Sequence, residues 1–152
     1  MPDAYRQPGC RIAIVRRSPA RPVPDAAIRR AVRHVLRRHK RRTGGLEVVI
    51  LGLDGIRQLN ERWLGHKGPT DVIAFDLSDG RARRTDGPTG QVNVCWPLAR
   101  QEAARRGVTP AAELLLYLVH GVLHLLGYND ADPAAAARMH RKEDELLRQL
   151  GL

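Results

Sequence analysis

Aromatic residues are scarce in this chain: one Phe, two Trp and three Tyr among 152 residues. Base stacking needs aromatic faces, so stacking can be only a modest part of any nucleic-acid recognition. Cysteine is as scarce. Cys10 and Cys95 stand far apart, with no C-x-x-C pattern, which argues against a disulfide framework and fits a reduced, cytosolic setting. Long apolar runs are missing too. The first, "IAIV" (12–15), lies between arginines and is no signal peptide. The richest, around residue 120, falls short of the roughly 20 apolar residues that span a bilayer. A soluble, cytoplasmic protein with no membrane partner is expected. Acidic residues are nearly absent from residues 1–42, which hold only Asp3 and Asp25 against 13 of the 26 Lys and Arg. The net charge of +10 is therefore concentrated there, as in proteins that meet a polyanion. An Arg-for-Lys bias in a high-GC genome is the plainer alternative.

The length favours one domain, residues 1–152, with an Arg-rich N-terminal part (1–45) and a distinctive helix and turn at 110–132. "RIAIVR" (11–16) reads as a strand and 17–24 as a Pro-rich connection. Asp25 is a candidate N-cap for a helix to about residue 42, with Ile28, Val32, Val35 and Leu36 on one stripe and arginines elsewhere. "TGG" (43–45) stops it. "LEVVILGL" (46–53) is a strand. Asp54 caps a short helix ended by Gly65, and 65–70 is a loop. Strands follow at 71–77 and 91–96, separated by a polar loop over 78–90. Pro97 opens a helix to about Arg106. Thr109 and Pro110 open another, apolar on nearly all sides, that belongs at the centre of the domain. Gly127 is placed to end it with a left-handed residue. Asp132-Pro133 opens the last helix, to about Leu150. The order β-α-β-α-β-β-α-α-α predicts an α+β fold: one small mixed four-stranded sheet with about five helices.

The central helix carries "HGVLHLLGYND" (120–130). His120 and His124 are one helical turn apart on one face. Imidazoles buried among leucines cost free energy unless their nitrogens find partners, and one metal ion would serve both. Two core histidines bonded to other acceptors are the alternative. After Gly127 turns the chain, Asp130 is the candidate third ligand, with Asp132 and His140 behind it. Gly121 follows the first histidine, so the pattern is not H-E-x-x-H and a peptidase of that type is disfavoured. Three ligands with an open fourth position is the pattern of a catalytic zinc site.

These residues carry a family resemblance. "HGVLHLLGYND" resembles the H-G-x-L-H-L-x-G-Y-D-H signature of the YbeY-type bacterial rRNA maturation endoribonucleases, and "LNERWLGHKGPTDVIAF" (59–75) resembles that family's L-N-x-x-Y-R-G-K-D-x-P-T-D-V-L-S-F. The Met and Glu of "RMHRKEDELL" fit its C-terminal helix. The similarity runs over about residues 46–150. It implies a zinc-dependent, single-strand-specific RNA hydrolase in 16S rRNA 3′-end processing, partnered by single-stranded RNA and the small ribosomal subunit. It also implies three histidine ligands. His120 and His124 occupy two of those positions, and Asp130 stands at the third. A carboxylate there leaves an open His₂Asp site in which Mn²⁺ or another divalent ion would compete better. The family's arginine in the first block is Leu64 here. Arg62 and His66 are the candidate catalytic stand-ins nearby. The family's G-D-I at the fourth strand is "GQV" (90–92).

Thr70 and Asp71 are expected to tie backbone amides at a strand start, Asn60 to bond across the cleft, and Tyr128 to pack with its hydroxyl bonded. The rival to a nuclease is a ribosome-associated RNA-binding assembly factor whose metal is structural and whose cleavage is weak or absent.

Overall fold

The computed structural model describes residues 9–19, 23–80 and 86–152. Parts of the Pro-rich connection and of the polar loop predicted over 78–90 lie outside these residues, as do the first eight positions. Strands β1 (Arg11–Arg16), β2 (Thr43–Leu51), β3 (Val72–Asp76) and β4 (Asp86–Cys95) form one sheet in the order β1-β2-β4-β3. β1, β2 and β4 run parallel, and β3 pairs antiparallel with β4 at the edge. The helices are α1 (Asp25–Arg38), α2 (Leu53–Leu64), α3 (Trp96–Arg106), α4 (Pro110–Leu125) and α5 (Pro133–Gln149). This is the α+β architecture expected.

Side chains alternate across the strands, so each strand serves two cores. Val48, Ile50, Val92 and Val94 face α1, α4 and α5 in the main core. Val49, Leu51, Ile73 and Cys95 face the other way, onto Ile56 of α2. The stripe foreseen on α1 is fully buried, with Ala31 added to it. α4 buries residues all round and lies in the middle of the molecule. Gly121 explains how it comes so close to the sheet. A Cβ there would sit 2.5 Å from Val92 Cγ1 and 3.1 Å from Val72 Cγ2.

Several boundaries differ from expectation for physical reasons. α1 is N-capped by Pro24, not Asp25, and the Asp25 carboxylate instead accepts from Arg16 Nη2 at 2.6 Å. The helix ends at Arg38 and not near residue 42, because Lys40 turns left-handed at φ 56°. Gly52, not Asp54, precedes α2, and Asp54 pairs with Arg57 at 3.2 Å. β2 begins at Thr43, so "TGG" is strand and not helix stop. β4 begins at Asp86, drawn into the sheet by pairing Thr43↔Asp86 and Gly45↔Thr89. The caps of the last two helices are those expected. Thr109 Oγ1 accepts from Ala112 N at 3.1 Å, and Asp132 Oδ1 from Ala135 N at 2.8 Å.

Candidate metal centre

Burial of α4 brings His120 and His124 to its C-terminal end, half-buried, with their Nε2 atoms 3.0 Å apart. The helix then closes in a tight turn. Gly127 N–H donates to the His124 carbonyl at 3.1 Å and Tyr128 N–H to the Leu123 carbonyl at 3.0 Å. Gly127 itself sits at φ 102°, a left-handed conformation that costs glycine little. The chain therefore reverses and carries Asp130 back past the histidines. Among the described residues, one group of three side chains is arranged to hold a metal ion: a ring nitrogen of His120, one of His124 and a carboxylate oxygen of Asp130 lie within 4.8 Å of one another. Tetrahedral zinc with bonds of about 2.0–2.1 Å to nitrogen holds its ligands about 3.3 Å apart, so the imidazole pair fits such an ion with a small adjustment.

Sequence reasoning does not single out Glu143 of α5. Its carboxylate is buried, 4 % exposed, and bonds His120 Nδ1 through Oε1. Its other oxygen lies 3.5 Å from His140 Nδ1. A carboxylate on Nδ1 fixes the ring's tautomer and turns the Nε2 lone pair toward the ligand point. The residue is 23 positions from His120 in sequence, and only the docking of α5 on α4 brings them together. The "M" and "E" of the last helix are the available signal, and they assign it no role. His140 is exposed beside Glu143, and Asp132 is occupied as the α5 cap.

The two histidines titrate in opposite directions. Burial acts most strongly on His120 and lowers its pKa. The hydrogen bond and charge of Glu143, with the charges of Asp71 and Asp130, outweigh that effect and leave it raised. His124 is lowered, first by burial and then by the charge of His120. Without metal, a proton on His120 Nε2 can therefore be donated to His124 Nε2. A metal ion at that point would replace this proton.

His120, Glu143, His140, Asp71 and Tyr117 line a cleft of about 580 Å³ between α3, α4, α5 and the segment before β3. Its wall is tied as the "PTD" motif suggested. Asp71 Oδ1 accepts from Val72 N at 2.8 Å and from Thr70 Oγ1 at 3.3 Å. Asn60 is buried and donates to the Gly68 carbonyl at 2.9 Å, a bond from α2 to the loop that follows it and not across the cleft. Arg62 and His66 are not among the residues lining this cleft. Arg62 stacks on Trp63, 5.4 Å from its ring centre, and lines a groove with Glu47, Gln91 and Asn93 on the α2 side of the sheet. His66 is exposed in the loop after α2. Leu64, at the position where the resemblance calls for arginine, is 48 % exposed.

An α+β sheet with two imidazoles on a buried central helix, one of them bonded to a buried carboxylate, and a further carboxylate brought beside them by the next turn defines a class of proteins with a candidate metal centre at the end of that helix. The family model "Endoribonuclease YbeY" matches residues 14–151. The chain belongs to that family. It is 32% identical over 151 residues to Endoribonuclease YbeY of Salinibacter ruber, covering 97% of this chain and 94% of that one. The counterpart of the same name in Halorhodospira halophila is 40% identical over 113 residues, 73% of each chain. The solution structure of TM1509 from Thermotoga maritima has the same fold, with a TM-score of 0.65 at 22% identity over 91% of this chain and 88% of that one.

Proposed function

We propose that the protein is a zinc-dependent, single-strand-specific endoribonuclease of the cytoplasm that acts in 16S rRNA 3′-end processing and small-subunit maturation. The observation that carries this reading is the convergence of His120, His124 and Asp130 at the end of α4, with Glu143 behind His120. Those three residues would hold the ion. When bound, it supplies Lewis acidity toward an RNA phosphodiester. Glu143 keeps the His120 lone pair aimed, and Gly127 keeps Asp130 within reach.

Substrate binding falls to the arginines of α1. Arg30, Arg33 and Arg37 are exposed, and with Arg29 they line a groove that ends against α5. Their contacts with phosphate are electrostatic and independent of sequence. The end of α1 meets the ligand turn, so a strand held on this helix is led toward the metal position. Arg62 and His66 would meet the strand outside the cleft, Arg62 on the α2 face of the sheet and His66 in the exposed loop after α2. No single described helix is long and apolar enough to cross a membrane.

Leu64 favours a second reading, an RNA-binding assembly factor with a structural metal, because an exposed leucine offers nothing to phosphate. One experiment separates the two. Metal content and cleavage of single-stranded RNA are measured for the purified protein beside His124→Ala. Metal-dependent cleavage that disappears in the variant is expected. Tight RNA binding without such cleavage would sink the nuclease in favour of the assembly factor, and a stable protein that binds no divalent metal would sink both.

A further inference from the structure

Asp130 is exposed, and no hydrogen bond to its carboxylate is found among the described residues. Its position depends on the backbone of the turn that carries it. Most ties of that turn are local: the two helix-closing bonds, Ala131 N to Asn129 Oδ1 at 3.0 Å, and the Asp132 cap. A different kind of tie comes from Tyr128. Its hydroxyl lies 3.0 Å from His39 Nε2, across 89 residues of sequence, and the two rings meet edge to face at 5.6 Å.

His39 is well placed to hold a partner still. It caps the C-terminus of α1, its backbone N–H reaches the Val35 and Leu36 carbonyls, and its Nδ1 lies 2.7 Å from the Val35 carbonyl oxygen. A carbonyl can only accept, so Nδ1 carries the proton. In the neutral ring Nε2 is then an acceptor, and the Tyr128 hydroxyl donates to it. Both ring nitrogens are satisfied, both residues are half-buried, and Tyr128 packs against the main core.

We infer that His39 is a positioning residue for the metal centre, holding Tyr128 and through it the turn that presents Asp130. The inference rests on Asp130 being a ligand. It makes the end of the arginine-rich helix a structural part of the metal site. Neither His39 nor Tyr128 touches the ion; each fixes where the third ligand stands. A residue in this role governs affinity for metal more than it governs the fold.

The test is Co²⁺ affinity by competition with a chromophoric chelator, together with the visible absorption spectrum of the bound Co²⁺. The proteins are wild type, His39→Ala, His39→Gln, Tyr128→Phe, the His39→Ala/Tyr128→Phe pair and Asp130→Ala. His39→Ala and Tyr128→Phe should each weaken binding about tenfold or more and alter the spectrum. The double variant should lose no more than either single one, since both remove the same bond. His39→Gln, whose amide can still accept from the hydroxyl, should recover most of the loss. Should His39→Ala fail to fold, Tyr128→Phe, which removes one oxygen, carries the test. Wild-type affinity and spectrum in Tyr128→Phe, or additive losses in the double variant, would overturn the inference while a weakened Asp130→Ala left the ligand assignment standing. Undiminished affinity in Asp130→Ala would overturn both.

Discussion

Among residues that do not themselves face the metal position, Glu143 acts most directly on it, through its bond to His120 Nδ1. It holds the protonated form of His120 above its ordinary value of 6.5, against the pull of burial. The sign for stability follows. The Glu143–His120 contribution is present in full below the unfolded value and is lost as pH rises through the raised folded value. His124 runs the other way, contributing above the unfolded value and losing that contribution as pH falls through its lowered one. A metal needs both rings neutral. Proton competition from His120 should therefore begin above 6.5 and weaken metal binding progressively as pH falls. Glu143→Gln should weaken binding at alkaline pH by roughly 10–100-fold and move the onset of proton competition to lower pH. Chelator competition at a series of pH values reads both effects. An unchanged onset would mean that the carboxylate does not govern His120.

At the scale of elements, α4 is where sequence and structure agree best, and Gly121 shows what the agreement left out. Thr109, Pro110 and Gly127 mark both ends of the helix by local chemistry, so its span could be read directly. Gly121 looks in the sequence like a missing glutamate and proves to be a packing necessity, which only the distance to Val92 reveals. Gly121→Ala should cost about 1–3 kcal/mol, the range for an overfilled core, because the stiff valine of a central strand cannot swing aside. Urea unfolding of the metal-free protein measures it, and a loss well under that range would mean that α4 rides up without strain. Long-range pairing is less legible. Asp86–Gly90 is polar and rich in glycine, and it becomes strand through its partners in β2. The arginines after Arg38 continue a helical composition, and the left-handed Lys40 stops the helix where no local signal announces it. His39 and Glu143 gain their meaning only when α1 and α5 close on α4.

On the whole-molecule scale, charge and topology divide the work. The excess positive charge lies in residues 1–42, and the arginines of α1 are its described core. RNA affinity should fall linearly with log salt. Arg33→Gln with Arg37→Gln should shallow that slope by about 0.7 for each single-strand phosphate that is no longer neutralised. Fluorescence anisotropy across a salt series tests this, and an unchanged slope would move the RNA elsewhere. The parallel pairing of β2 with β4 has a consequence in time. Val48 meets Val92 only after α2 and β3 have been traversed, and such non-local registers make folding slow. The candidate ligands lie beyond β4, and Glu143 and His39, which aim His120 and tie Tyr128, reach them only when α5 and α1 have packed on α4. We predict that metal binds after the rate-limiting step. It should then lengthen the lifetime of the native state by slowing unfolding, and leave the refolding rate nearly unchanged. Stopped-flow kinetics with and without metal would expose a refolding rate that rises with metal, the result that would defeat this order of events. On this reading the ion is a late-closing latch: it plays no part in finding the fold and decides how long the fold persists.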